Sequence, residues 1–244
     1  MTTQDASLEL HDVVGGYGAL RILNGVDLLA PQGSITTLVG PNGAGKSTIL
    51  KAIFGQADIV SGQVMLGGRD VTHTSPRALL AQGVAFVPQG RNVFPMLSVR
   101  ANLKLGATML AAREIELRMN EVLERFPRVA ERIESQASAL SGGEQKQLEI
   151  ARALMLRPSV LLIDEPSIGL SPLIVQQVFG LLRDLTAKGL TVLIVEQNVK
   201  RALSISDFGV VLETGRVALA GDARELLADP RMGRIFVGAS HQHS

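Results

Sequence analysis

Short apolar runs that end in glycine or acidic residues are the most regular pattern along this chain. The clearest runs are residues 35–39, 160–163 and 191–195. Continuous apolar runs of this length are typical of strands buried on both faces of a parallel sheet. Beyond Ser171-Pro172, apolar residues recur at helical spacing, namely Ile174, Val178, Leu181 and Leu185. The alternation of buried strands with amphipathic helices predicts an α/β fold on a mainly parallel sheet.

The N-terminal part of the chain has strand and turn signals of a different kind. Residues 8–14 alternate loosely between apolar and polar side chains. Ser61-Gly62 is predicted to form a turn. Residues 63–66, followed by Gly67-Gly68, are typical of a hairpin. We therefore expect an antiparallel strand region ahead of, and beside, the parallel sheet.

The middle of the chain changes character. Residues 99–112, 114–126 and 129–135 have helical patterns with charges on one side. Strand signals resume after this stretch, so it is interpreted as an insertion. We predict a single domain over 1–244, with a core of 1–90 and 140–244 and a helical subdomain of 91–139.

The strand at 35–39 leads into a glycine loop that fits the P-loop pattern G-x-x-x-x-G-K-[ST]. Gly43 and Gly45 allow the backbone to curl, so that its N–H groups and the next helix N-terminus can cradle phosphates. Lys46 is predicted to reach the β- and γ-phosphates, and the Ser47 hydroxyl is predicted to ligate Mg²⁺. The loop residues predicted to hold a triphosphate are Gly40, Pro41, Asn42, Gly43, Ala44, Gly45, Lys46, Ser47 and Thr48.

Two further features suit the same chemistry. Asp164 ends a buried strand, where a carboxylate is placed to bind Mg²⁺, and Glu165 beside it could polarise an attacking water. Ser141-Gly142-Gly143 precedes a predicted helix and forms a second anion site. One triphosphate needs only one P-loop, so we expect two chains to pair head to tail and complete each other's sites.

Composition limits the classes of function. The chain of 244 residues is 46% hydrophobic, 19% charged and carries a net charge of +1. There is no electrostatic footprint for nucleic acid. There is no cysteine, which excludes thiol catalysis. The polar N-terminus is not a signal peptide, and no apolar run approaches the ~18 residues of a membrane span. The tail with His241 and His243 is interpreted as a polar chain end.

The segment Leu-Ser-Gly-Gly-Glu-Gln at 140–145 resembles the signature of the ATP-binding cassette (ABC) ATPases. The P-loop, Gln89 and Leu-Leu-Ile-Asp-Glu-Pro at 161–166 agree with that family in order. The resemblance implies a P-loop NTPase fold with an ABC-type ATPase core, and ATP and Mg²⁺ as cofactors.

The resemblance also implies roles for individual residues. Gln89 matches the glutamine that touches Mg²⁺ and the attacking water, Asp164 supports Mg²⁺, and Glu165 is the general base. Ser141, Gly142 and Gly143 would face the γ-phosphate of the partner's nucleotide. Tyr17, the only tyrosine, matches the aromatic that stacks on adenine; by itself, a tyrosine among glycines is also compatible with half-buried packing.

One position departs from the family. Members usually have a switch histidine where this chain has Gln197, and His11, His73, His241 and His243 all lie elsewhere. Glutamine can donate a neutral hydrogen bond to the γ-phosphate, but it carries neither a proton nor a charge. We expect Gln197 to take part in catalysis with Glu165 and Lys46. Glu196 is interpreted as a structural acid at a strand end.

The stretch Val-Glu-Gln-Asn at 195–198 resembles the smaller ATPase subunits of branched-chain amino acid importers and of related urea importers. The segments 87–95, 171–175 and 234–238 are similar to the same branch. That resemblance implies membrane permease partners, a second ATPase subunit that is either a copy or a sister chain, and an indirect partner in a substrate-binding protein. It places the chain on the cytoplasmic face of the membrane.

Alternatives remain at this stage. Branched-chain amino acids are the preferred prediction for the transported substrate, and urea or short amides are the second choice. A non-transport cassette ATPase acting on DNA or ribosomes usually has a long coiled coil or two cassettes, and this chain has neither. A P-loop kinase is a third class, and the signature at Ser141 argues against it.

Overall fold

The computed structural model describes residues 6–238, so His241 and His243 lie outside the described residues. The strands, numbered in chain order, are β1 (Ala6–Tyr17), β2 (Leu20–Pro31), β3 (Ile35–Val39), β4 (Asp58–Leu66), β5 (Arg69–Asp70), β6 (Val84–Val87), β7 (Val160–Asp164), β8 (Thr191–Val195), β9 (Phe208–Glu213) and β10 (Arg216–Asp222). The helices are α1 (Lys46–Ile53), α2 (Pro76–Ala81), α3 (Val99–Gly106), α4 (Ala112–Leu123), α5 (Pro127–Ala130), α6 (Gly142–Leu154), α7 (Pro172–Thr186), α8 (Val199–Ser204), α9 (Ala223–Ala228) and α10 (Pro230–Gly238).

Two sheets organise these elements. One is antiparallel, with the order β2-β1-β4-β5. The other has the order β10-β9-β3-β8-β7-β6, and all of its strands are parallel except β10, which pairs antiparallel with β9. The predicted combination of a mainly parallel sheet with an N-terminal antiparallel region is confirmed.

The central strands are buried because most of the residues on both of their faces are apolar. Every residue of β3, β7 and β8 is buried. One apolar cluster fills the space between the large sheet, α6, α7 and the helical segment at 91–139. A second cluster fills the space between the two sheets and α1. The carboxyl ends of β3, β7 and β8 therefore meet along one edge, where the predicted site residues follow.

The predicted turn at Ser61-Gly62 is wrong, because both residues lie inside β4. Gly62 has φ of 88°, and the pairing of β1 with β4 shifts register between His11 and Val14. An added Cβ at Gly62 would lie 2.3 Å from the carbonyl oxygen of Asp12. The glycine therefore serves a β-bulge, which requires the same positive φ as many turns.

Some predicted boundaries also need correction. The helix predicted over 99–112 ends at Gly106, and the one predicted over 129–135 is only α5, Pro127–Ala130. The strand predicted over residues 8–14 extends through Gly15 and Gly16, and Tyr17 is its last residue. The division into a core and a helical subdomain stays a prediction. Among the described residues, no helix is long and apolar enough to cross a membrane.

Candidate nucleotide site

The predicted P-loop residues all lie on the connection between β3 and α1 or in the first turn of α1. Gly43 and Gly45 have φ of 81° and 100°, which side chains with a Cβ rarely adopt. Gly45 is the N-cap of α1, and no side chain caps that helix. The first N–H groups of α1 therefore have no side-chain acceptor, which is the arrangement that binds phosphate.

Lys46 begins α1 and turns back over its own loop. Its Nζ donates to the carbonyl oxygens of Gly40 and Pro41, each at 2.9 Å. The side chain is buried, and burial lowers the pKa of Lys46, while the nearby carboxylates of Glu165 and Asp164 oppose that shift. A bound triphosphate would give this buried amine anionic partners, which would offset the loss of solvation that burial causes.

Ser47 and Asp164 are brought together from separate elements. The Ser47 hydroxyl donates to Oδ1 of Asp164 at 3.0 Å. Burial, aided by the neighbouring Glu165, raises the pKa of Asp164; the Ser47 hydrogen bond and the charges of Lys51 and Lys46 oppose it. These hydroxyl and carboxylate oxygens are the donors that Mg²⁺ prefers. The described residues hold no cluster of three or more histidine, cysteine or acidic side chains that would bind a metal alone.

Glu165 is the centre of a hydrogen-bond network that joins three strand ends. Its carboxylate accepts from Nε2 of Gln89 at 2.8 Å, and from Nε2 of Gln197 at 2.9 and 3.0 Å to the two oxygens. Glu165 is buried and has φ of 48°. A non-glycine residue in this region is strained by about 1 kcal/mol or more. Sequence reasoning named all three residues, but not their contact.

Glu196 follows β8 and contacts the chain just after Glu165. Its carboxylate accepts from the backbone N–H of Ser167 at 3.0 Å and from the Ser167 hydroxyl at 2.7 Å. It is buried, and burial raises the pKa of Glu196, with the charge of Glu165 acting in the same direction. The two hydrogen bonds between Ser167 and Glu196 thus hold the start of the loop between β7 and α7 in place.

The signature segment starts α6 with a capping box. The Ser141 hydroxyl accepts from the N–H of Glu144 at 3.3 Å, and Oε2 of Glu144 accepts from the N–H of Ser141 at 2.8 Å. Ser141 and Gly142 are exposed, and Gly143 is buried. Gly142 and Glu165 line a common cavity of about 140 Å³. The signature thus lies beside the predicted base, with its first residues open to an approaching molecule.

Tyr17 is 39% exposed at the end of β1. The Nζ of Lys51, on α1, lies 5.8 Å from the centre of its ring. This cation–π distance links the ring to the helix that follows the P-loop. Sequence reasoning did not single out Lys51, although its place on α1 could have drawn attention to it.

A second feature missed from the sequence joins α6 to the segment after Gln89. Lys146 donates to the carbonyl oxygen of Gly90 at 3.1 Å, and Arg152 donates to that of Asn92 at 2.6 Å. Glu149, between them, accepts from the N–H of Asn92 and pairs with Lys146. Lys146, Glu149 and Arg152 are spaced three residues apart on one face of α6, and this spacing could have indicated a shared contact.

A strand, a glycine loop and a helix beside a buried Asp-Glu strand end define an ATP-binding ATPase of the P-loop class. The sequence pattern described as ABC transporter matches residues 23–168. The chain belongs to the ABC transporter family and is an ATP-hydrolysing cassette.

Individual relatives match nearly the whole chain. It is 40% identical to the high-affinity branched-chain amino acid transport ATP-binding protein BraG of Pseudomonas aeruginosa, over 91% of this chain and 95% of that protein. It is 43% identical to the probable branched-chain amino acid transport ATP-binding protein LivF of Archaeoglobus fulgidus, with the same coverage. A crystal structure of the ADP conformation of an ATP-binding cassette of an ABC transporter aligns with a TM-score of 0.88 and 28% identity, over 97% of this chain and 100% of the other.

Proposed function

We propose that this chain is the ATPase subunit that drives an importer of branched-chain amino acids. The observation that supports this choice of transported substrate is the similarity to BraG and LivF. The similarity extends over 91% of the chain and so well beyond the nucleotide site. An importer of urea or short amides is the alternative, and it rests on the resemblance of residues 195–198 to both branches.

In the proposed site, the P-loop from Gly40 to Thr48 holds the phosphates of ATP, and Tyr17 stacks on adenine. Ser47, Asp164 and Gln89 supply oxygen ligands for Mg²⁺, which when bound neutralises charge between the phosphates. The 3.0 Å contact of Ser47 with Asp164 supports this assignment, because both oxygens can turn to one cation. Lys46 exchanges its loop carbonyls for phosphate oxygens.

Glu165 is proposed as the general base that takes the proton of the attacking water. Gln89 and Gln197 each donate to its carboxylate, which supports a role for both amides in holding the base in one orientation. Gln197 retains a second N–H, which is free to reach the γ-phosphate.

The proposed working unit contains two ATPase subunits. Ser141, Gly142 and Gly143 of one chain would face the γ-phosphate held by the other, and the exposure of Ser141 and Gly142 supports this. The partner is a copy of this chain or a sister subunit. Closure on ATP and reopening after hydrolysis would switch permease subunits in the membrane, with this chain on their cytoplasmic face. A substrate-binding protein would deliver the cargo, and the net charge of +1 argues against nucleic acid.

The test is transport by proteoliposomes that contain the chain with the permease that copurifies with it and the binding protein. We expect ATP-driven uptake of labelled leucine, isoleucine or valine, and no uptake with the Lys46→Ala variant. Uptake of urea without leucine would favour the alternative cargo. Copurification with ribosomes or DNA and no permease would contradict the transport function.

A further inference from the structure

A mainly apolar groove of about 640 Å³ lies between two strand pairs, β1 with β2 and β9 with β10. β2 is the outer strand of the antiparallel sheet, and β10 is the outer strand of the large sheet. Within residues 6–238, no strand pairs with the free edge of either. The apolar wall includes Leu29, Pro31, Phe208 and Ala220. Two free strand edges beside one apolar groove provide a template for an added strand.

The groove is closed at one end, where the turn after β9 contacts β2. The N–H of Asn24 donates to the carbonyl oxygen of Gly215 at 2.9 Å, and its side-chain amide donates to that of Thr214 at 3.3 Å. The groove lies further along both strands, beside Phe208. Phe208 is opposite Thr36 near the start of β3, whereas the P-loop follows the end of β3. A segment bound in the groove would therefore leave the nucleotide site open.

The groove is acidic as well as apolar. Glu9, Asp27 and Asp222 line it, and no lysine or arginine does. Glu9 is only 6% exposed, and Nε2 of His11 lies 3.1 Å from its carboxylate, on a side chain that is half exposed. A carboxylate held in an apolar wall with one such partner favours a cation that enters the groove.

The other two acids are held in place by backbone groups. Asp27 accepts from the N–H of Asp12 at 2.9 Å, and Asp222 accepts from the N–H of Arg224 at 2.8 Å. Asp222 accepts from the N–H of Glu225 as well, and each residue accepts these bonds through Oδ1. Among the described residues no donor contacts either Oδ2, so that oxygen can accept from a ligand. The acids also repel the same edges of another copy of this chain, which argues against self-pairing at this place.

We propose that the groove binds an extended segment of a partner polypeptide that carries both apolar side chains and lysine or arginine on one face, because Asp27 and Leu29 lie on the same face of β2 and Glu9 pairs with Leu29. The backbone of the segment pairs with a free strand edge, its apolar side chains contact Leu29, Phe208 and Ala220, and its cations approach Glu9, Asp27 and Asp222. The groove takes no residue from 91–139, so it is separate from the helical segment.

The experiment measures binding of fluorescein-labelled pentapeptides, Val-Ser-X-Ser-Val with lysine, serine or glutamate at X, to the full chain by fluorescence anisotropy, because residues 1, 3 and 5 of an extended peptide share one face. We expect the lysine peptide to bind at least about tenfold more tightly than the serine peptide, with no binding of the glutamate peptide. Ala220→Trp, which fills the groove, should abolish binding. Glu9→Gln should remove most of the advantage of lysine over serine.

Matched controls carry the same changes outside the groove. Ala218→Trp is on the same strand, and Asp70→Asn removes an acid from β5; both should bind the lysine peptide as the wild type does. ATP hydrolysis verifies that each variant is folded. Equal binding of all three peptides, no binding of the lysine peptide, or binding unchanged by Ala220→Trp would overturn the proposal. Self-association that occurs without nucleotide and is abolished by Ala220→Trp would also overturn the proposal, because the occupant of the groove would then be a second copy of this chain.

Discussion

The contact of Gln197 with Glu165 yields the sharpest prediction. Replacing Gln197 with alanine removes the amide that lies 2.9 and 3.0 Å from the two carboxylate oxygens and leaves Gln89 as the remaining donor of the pair. A hydrogen bond to a charged group contributes about 1.5–3 kcal/mol. If that energy serves to orient the base, the variant loses roughly 10- to 150-fold in kcat, at about 1.36 kcal/mol per factor of ten.

The assay is steady-state ATP hydrolysis with Mg²⁺, together with the Kd for ATP. The Kd should change little, because most of the proposed contacts to the phosphates come from the loop amides and Lys46, and Gln197 would add at most one. Gln63→Ala is the matched control, since Gln63 donates to Asp70 at 3.2 Å on an exposed surface. Wild-type kcat in Gln197→Ala would refute the reasoning, and so would a loss confined to ATP affinity.

Gln197→His extends this test. We expect kcat equal to or higher than that of the wild type, because the imidazole can donate to Glu165 or to the γ-phosphate. The pH profile of kcat should have an additional inflection close to the ordinary histidine pKa of about 6.5 in this variant, and not in the wild type. A collapse of activity would show that the amide itself is required.

The remaining predictions concern three other side chains. Lys46→Ala should abolish ATP-driven transport while Lys188→Ala, an exposed lysine, leaves it intact; full transport by Lys46→Ala would disprove the P-loop assignment. Glu165→Gln should bind ATP without turnover and accumulate as a closed pair in size-exclusion chromatography, whereas normal turnover would place the base elsewhere. The pKa of Glu196 is raised in the folded chain, so protonation favours folding, and the stability that it contributes is lost as pH rises through that pKa. Urea unfolding should therefore show the stability of the wild type rising relative to that of Glu196→Gln as the pH falls from 7 to 4.5, and a constant or opposite difference would contradict this.

The fold and the P-loop were predictable because their signals are local. The runs at β3, β7 and β8 are short and mostly apolar, and the spacing of Gly40, Gly45 and Lys46 fixes the loop chemistry. Asp164 and Glu165 follow directly from a strand end in the same way.

The rest depends on contacts between distant parts of the chain. Whether Gln197 reaches Glu165 depends on two strand ends that are 32 residues apart in sequence. The hydrogen bonds from α6 to Gly90 and Asn92 likewise depend on how the helical segment packs. Gly62 misled the prediction because turns and bulges both require a positive φ. The groove between the β1–β2 and β9–β10 strand pairs arises from sheet order, which no local pattern encodes.

The most direct test of the central claim is ATP hydrolysis by the purified chain, measured at rising protein concentration with Mg²⁺. If two chains complete each site, the rate of ATP hydrolysis per chain should increase with protein concentration. The Lys46→Ala variant should show no ATP hydrolysis. ATP turnover that is unchanged in Lys46→Ala, or a chain that neither binds nor hydrolyses ATP even with its permease, would contradict the account.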